Sequence, residues 1–131
     1  MNDISQELNS IGFVQSSEIE PFTYQRNVKY PSLFTDKSDY AHFVVNTPQG
    51  IVQIVAKYQQ TAGTAIDKLG YTAFDAARTD HDAYLVVCGG DELLKSNRAI
   101  TFLNSQRHLA PKLLALRVDQ LSSYFLNKIT Q

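Results

Sequence analysis

Ile51-Val52-Gln53-Ile54-Val55-Ala56-Lys57-Tyr58-Gln59-Gln60 reads as a strand that ends at the mouth of a site. Valine, isoleucine and tyrosine suit a pleated surface. The even positions Val52, Ile54, Ala56 and Tyr58 are apolar and face a core. The odd positions Ile51, Gln53, Val55, Lys57 and Gln59 turn polar toward the end, which predicts that one face leaves the core and meets solvent or ligand. Thr61 to Leu69 then start a helix. Lys57 and Gln59 beneath a helix N-terminus make a candidate anion site. A strand that simply reaches water has the same pattern.

Working outward, Thr47-Pro48-Gln49-Gly50 is a hairpin turn, and His42–Asn46 is the antiparallel strand before it. Phe22–Tyr30 alternates weakly as a further strand, broken by Pro31-Ser32, and Asp36–Tyr40 reads as a polar loop. A first helix runs from Asp3 to Ser10, with Ile4, Leu8 and Ile11 at helical spacing and Gly12 as its stop. Phe13–Pro21 is loop or ragged strand. Downstream, a helix over Thr64–Ala77 places Ala65, Ile66, Leu69, Ala73, Phe74 and Ala77 on one side. Ala83–Cys88 is continuously apolar, as a strand buried on both faces would be. Asp91 caps a helix over 92–105, with Leu93, Leu94, Ile100 and Leu103 inward. Leu113–Val118 is another buried strand, and Asp119 caps a last helix, Gln120–Ile129. A meander followed by alternating helix and strand predicts an α/β (α+β) fold, a mixed β-sheet with a three-strand meander flanked by helices.

The 131 residues suffice for one domain, 1–131, with a real core. Hydrophobic residues at 44% against 19% charged predict a soluble globular chain. The net charge of −1 supplies no global attraction to nucleic acid or to an anionic membrane. Contact with nucleic acid therefore needs a local patch. Arg26, Lys29 and Lys37 among Tyr24, Tyr30 and Tyr40 are the one basic–aromatic interleaving, a mixture suited to phosphate contact and stacking and equally to a solvated loop. The single cysteine, Cys88, in an apolar run, fits an intracellular, cytoplasmic setting. The polar N-terminus shows no signal peptide, and no apolar run approaches the ~20 residues of a spanning helix, so no membrane partner is expected. Asp80-His81-Asp82 reads as a solvated turn.

The text Ala56-Lys57-Tyr58-Gln59-Gln60-Thr61-Ala62-Gly63-Thr64-Ala65-Ile66-Asp67-Lys68-Leu69-Gly70-Tyr71 resembles one branch of the PD-(D/E)xK, restriction-endonuclease-like nuclease superfamily. There an acidic-x-lysine is followed by an aromatic residue and glutamine, a small-residue turn and an acidic–lysine pair opening a helix. The later strand ending in two glycines and the last strand with its Asp-capped helix are similar as well. The resemblance implies an endonuclease that hydrolyses DNA phosphodiester bonds with Mg²⁺, often as a homodimer. In such a site carboxylates hold the metal, the metal activates water, and the lysine supports the anionic transition state.

Two positions depart from that pattern. Val55 stands two residues before Lys57, and His42 stands where the preceding strand should carry an acid. The resemblance leaves Lys57 and Gln59 as catalytic candidates, with His42 as a base or a ligand for a softer metal. Relocated carboxylates for the metal are Asp39 first, then Glu7 and Asp67, with Asp36, Glu18 and Glu20 as further substitutes. Arg26, Lys29, Lys37 and Lys68 are the candidate DNA contacts. Two readings follow: a metal-dependent endonuclease with a relocated acid, or a catalytically inactive nuclease-fold module that binds DNA or a protein partner. A third is an interaction protein that shares only the architecture.

Overall fold

A computed structural model of the chain describes residues 2–34, 36–58, 69–90 and 97–129. Its strands are β1 (Val14–Gln15), β2 (Thr23–Pro31), β3 (Ser38–Thr47), β4 (Gly50–Tyr58), β5 (Ala83–Gly89) and β6 (Leu113–Arg117). Its helices, among the described residues, are α1 (Asn2–Ser10), α2 (Leu69–Ala77), α3 (Arg98–Ser105) and α4 (Leu121–Ile129), the last entered through a 3₁₀ turn at Val118–Gln120. The strands form one mixed sheet in sequence order. β2–β3–β4 is an antiparallel meander, and β1 pairs parallel with β2. β4, β5 and β6 are parallel, which the intervening helical connections permit.

Alternation along the central strands builds two cores. Val52, Ile54 and Ala56 of β4 and Ala83, Leu85 and Val87 of β5 pack under Ile4 and Leu8 of α1 and Leu121 and Phe125 of α4. Val55 of β4 and Tyr84, Val86 and Cys88 of β5 pack on the other face, under Leu69 and Ala76 of α2 and Ala99 and Leu103 of α3. Each fully buried aliphatic or aromatic side chain contributes about 1.5–3 kcal/mol, so the sheet is stabilised from both sides. The odd face of β4 therefore does not leave the core as its composition suggested. Gln53 and Val55 are buried there, Ile51 and Lys57 are half-buried, and Tyr58, expected on the core-facing side, is exposed.

Three further expectations change. Ser38–Tyr40, expected in a loop, is the first part of β3, where Tyr40 pairs with Lys29 and Asp39 with Tyr30. Helix α2 buries Leu69, Thr72, Asp75 and Ala76 and leaves Phe74 at 65% exposure, so the inward face is polar where Phe74 was expected. The last helix is not capped by Asp119, whose carboxylate meets Arg117 Nε at 3.2 Å. Gln120 Oε1 instead accepts the Arg117 backbone N–H at 2.8 Å. Asp91, Leu93 and Leu94 lie outside the described residues, as does the start of the helix expected at Thr64.

The hairpin between β3 and β4 fixes the register of the centre. Thr47 pairs with Gly50 across Pro48-Gln49, and Thr47 Oγ1 donates to the Gly50 carbonyl at 2.8 Å. Gly50 has φ +144°, and the Asp82 side chain lies where a Cβ would stand. That carboxylate accepts the Ile51 N–H at 2.7 Å and ties the turn to the start of β5. A residue with a side chain has no room at position 50.

Candidate functional site

The meander forks. The β3–β4 ladder ends at Phe43↔Ile54, whereas β2–β3 pairing continues to Pro31↔Ser38. At the fork the next acceptor along is not a carbonyl but a ring: Ala56 N–H donates to His42 Nδ1 at 2.8 Å. A backbone donor at Nδ1 leaves the neutral imidazole with its proton on Nε2. Opposite His42 in the β2–β3 ribbon, Asn27 takes φ +54°. From there the ribbon, still paired, reaches across to α2.

The space between ribbon, β4 and α2 is a cleft of about 190 Å³ whose walls include Asp39, His42, Lys57, Tyr71 and Asp75. Asp39 comes from the ribbon, Lys57 from the end of β4, and Tyr71 and Asp75 from α2. Tyr71 Oη donates to Asp39 Oδ2 at 2.6 Å and lies 3.0 Å from Ser32 Oγ. Asp75 is 3% exposed. Its Oδ2 accepts from the hydroxyls of Tyr30 and, at 2.8 Å, Tyr84, and its Oδ1 meets Arg78 Nη2 at 3.0 Å. A second cleft, of about 320 Å³, shares Tyr30 and Asp75 and adds Lys29, Gln53, Arg78 and His81.

Burial, reinforced by Asp75, pushes the Tyr30 and Tyr84 hydroxyls well above the usual phenol range, so both stay protonated donors. The bond to Asp39 raises Tyr71 as well. Burial, with the positive charge of Lys57 nearby, lowers His42. A base depressed in the folded state gives stability that is present above its unfolded value, ordinarily ~6.5, and is lost as pH falls through the folded value. Thermal unfolding followed from pH 8 to 5 will therefore show the midpoint falling below about pH 6.5. His42→Asn will flatten that fall in part. His81, lowered chiefly by burial, retains the remainder. An unchanged profile in the variant would show that His42 is not held neutral.

The structure brings together Lys57, His42 and Asp39 of the residues expected from sequence. Gln59, Asp67 and Lys68 lie outside the described residues. Glu7 is not in the cleft: α1 covers the opposite face of the sheet, and Glu7 Oε2 accepts from Ser122 Oγ of α4 at 2.5 Å. Arg26 lies over the Phe43 ring at 5.2 Å, Lys29 lines the second cleft, and Lys37 lies over Phe34 at 5.9 Å. These three cations are strung along the ribbon and do not converge. Sequence reading missed Asp75, Tyr71 and Tyr84, and singled out Tyr30 only as a stacking candidate, not as a partner of Asp75. The available signal was the polar pair Thr72 and Asp75 in the otherwise apolar end of the helix.

A forked mixed sheet between helices, with a lysine at the fork, defines a nuclease-type α/β fold. The chain belongs to the PD-(D/E)XK nuclease superfamily: the family model described as "PD-(D/E)XK nuclease superfamily domain" matches residues 1–129. No curated protein and no solved structure matches it. Mg²⁺ takes hard oxygen ligands in octahedral geometry. The described residues do not fit that ion. Val55, at the ligand position, packs into the core beneath α2, and His42 offers nitrogen. Asp75 already accepts three bonds, which leaves Asp39, with its one bond from Tyr71, as the single cleft carboxylate with acceptor sites to spare among the described residues. Among the described residues no three His, Cys, Asp or Glu side chains converge on a point where a metal could sit. No helix among them is long and apolar enough to cross a membrane.

Proposed function

We propose that this domain binds DNA at the fork of its sheet and does not hydrolyse it. The observation that carries this reading is the division of labour within one strand. Lys57 and Val55, two residues apart on the same face, both line the cleft, but Val55 brings only a hydrocarbon wall there, 6% exposed and packed into the core under α2. A carboxylate there would face metal. A valine there is packed against Leu69 and Tyr84 and supports the helix instead. Lys57 keeps what a lysine alone supplies, a point charge for a phosphate oxygen. Lys29, in the adjoining cleft, and Lys37, farther along the ribbon, add positive charge nearby, whereas Arg26 lies over Phe43 on the opposite face of the sheet.

The reading is tested by incubating the protein and Lys57→Ala with supercoiled plasmid in Mg²⁺ and, separately, in Mn²⁺. Both proteins are expected to leave the plasmid uncut. Nicking or linearisation by the unmodified protein that disappears in Lys57→Ala would replace this reading with metal-dependent hydrolysis, and Asp39 would be the first relocated ligand to examine.

A further inference from the structure

We infer that the β2–β3 ribbon beyond Asn27 is an autoinhibitory lid over the fork, latched to α2 and carrying Asp39 into the cleft with Lys57. The DNA-opening part of this inference rests on the reading above; the lid itself does not.

Three observations converge. The first is a hinge. The ribbon leaves β4 after Phe43↔Ile54, and Asn27, opposite His42, holds φ +54°. It is the only non-glycine position within a strand, among the described residues, in that conformation. An αL residue at a point where pairing to the sheet stops is a natural place for a ribbon to pivot.

The second is a latch. Past the hinge the ribbon meets α2 through side chains. Tyr71 donates to Asp39 and lies within hydrogen-bond distance of Ser32, its ring stacks 6.4 Å from Phe34, Tyr30 donates to Asp75, and Arg78 Nη2 donates to the Pro31 carbonyl at 2.5 Å. Tyr71 is 37% exposed, so the outer half of the latch is open to competition from water. A two-stranded ribbon holds its place poorly without such support.

The third is charge. The closed cleft holds two carboxylates, Asp39 and Asp75, beside Lys57. A phosphate entering it meets like charge. Asp75 belongs to α2, but Asp39 belongs to the ribbon and leaves with it. Opening the lid therefore exposes Lys57 and removes one of the two repelling groups in a single motion, whereas the closed lid lets a carboxylate stand where a phosphate would bind.

Hydrogen exchange read by mass spectrometry tests the lid without DNA. Tyr71→Phe deletes the outer latch and keeps the ring, and Asp39→Asn keeps the shape and removes the charge. In both variants, peptides covering 28–34 and 36–41 are expected to exchange about tenfold faster, the loss expected for one charge-assisted hydrogen bond. Peptides within 52–56 and 84–88 should be unchanged. Unchanged exchange in the ribbon, or equal acceleration in ribbon and central strands, would overturn the lid. Affinity for a labelled 20-base-pair duplex should rise in both variants. A fall in affinity with the ribbon loosened would overturn the inhibitory role. Ribbon-specific opening without duplex binding by any of the proteins would uphold the lid and refute DNA binding instead.

Discussion

Asp75→Ala is expected to destabilise the domain by about 2–4 kcal/mol, the cost of taking the acceptor from one buried and one half-buried hydroxyl. The carboxylate is 3% exposed and serves three elements at once. It accepts from Tyr30 of β2 and Tyr84 of β5, and it pairs with Arg78 just beyond α2. Alanine leaves the buried Tyr84 hydroxyl without its acceptor, at about 1–3 kcal/mol, removes the bond of the half-buried Tyr30 hydroxyl at about 1 kcal/mol, and strips Arg78 of its counter-charge. Tyr84→Phe removes a single donor and should cost only about 1 kcal/mol. Urea unfolding monitored by circular dichroism reads both. The midpoint should fall steeply for Asp75→Ala with the slope preserved, because the same surface is exposed on unfolding. A loss below about 1 kcal/mol would mean that the network is not a stabilising junction.

The same carboxylate shows how far the sequence could be read. The meander, the buried apolar run of β5 and the closing strand and helix were legible because period-2 alternation and continuous apolar runs each have one physical cause. The resemblance placed the chain in its superfamily and singled out Lys57, which shares a cleft with His42, the departure from the pattern, and with Asp39, the first relocated acid considered. The partners that complete that cleft were not legible. Phe74, as the more apolar residue, should face inward by composition, yet α2 turns Thr72 and Asp75 in and leaves Phe74 out. The helix is oriented by hydrogen bonds to tyrosines on β2 and β5, strands 45 and 9 residues away from Asp75 in sequence. Pattern along one helix carries no trace of donors supplied by other strands. Nor does it reveal that Ser38–Tyr40 continues β3, since the polar composition of a ribbon that has left the sheet is that of a loop. Glu7 failed for the complementary reason. Helical spacing gives the face a residue occupies, but not which side of the sheet the helix will cover.

Lys57→Ala is expected to weaken duplex DNA binding about tenfold at low salt, the value of one charge-assisted contact to phosphate. Lys57 lines the cleft at the end of β4, its strand held by pairing to Cys88 of β5 and its neighbour Val55 held in the core. It can therefore present its charge from a fixed base. The other cations of the ribbon act separately from it, since Arg26 and Lys37 lie over aromatic rings and Lys29 lines the adjoining cleft. The loss should accordingly be partial, and it should not depend on sequence, because a phosphate contact positions a duplex without reading its bases.

The direct measurement is fluorescence anisotropy of a labelled duplex, titrated with the protein and with Lys57→Ala over a range of salt concentrations. If Lys57 at the fork holds a phosphate, affinity falls linearly on a log–log plot against salt, and the slope for Lys57→Ala is shallower by about 0.9, the release accompanying one phosphate contact. Equal affinities and equal slopes for the two proteins, or binding that does not respond to salt, would contradict the account.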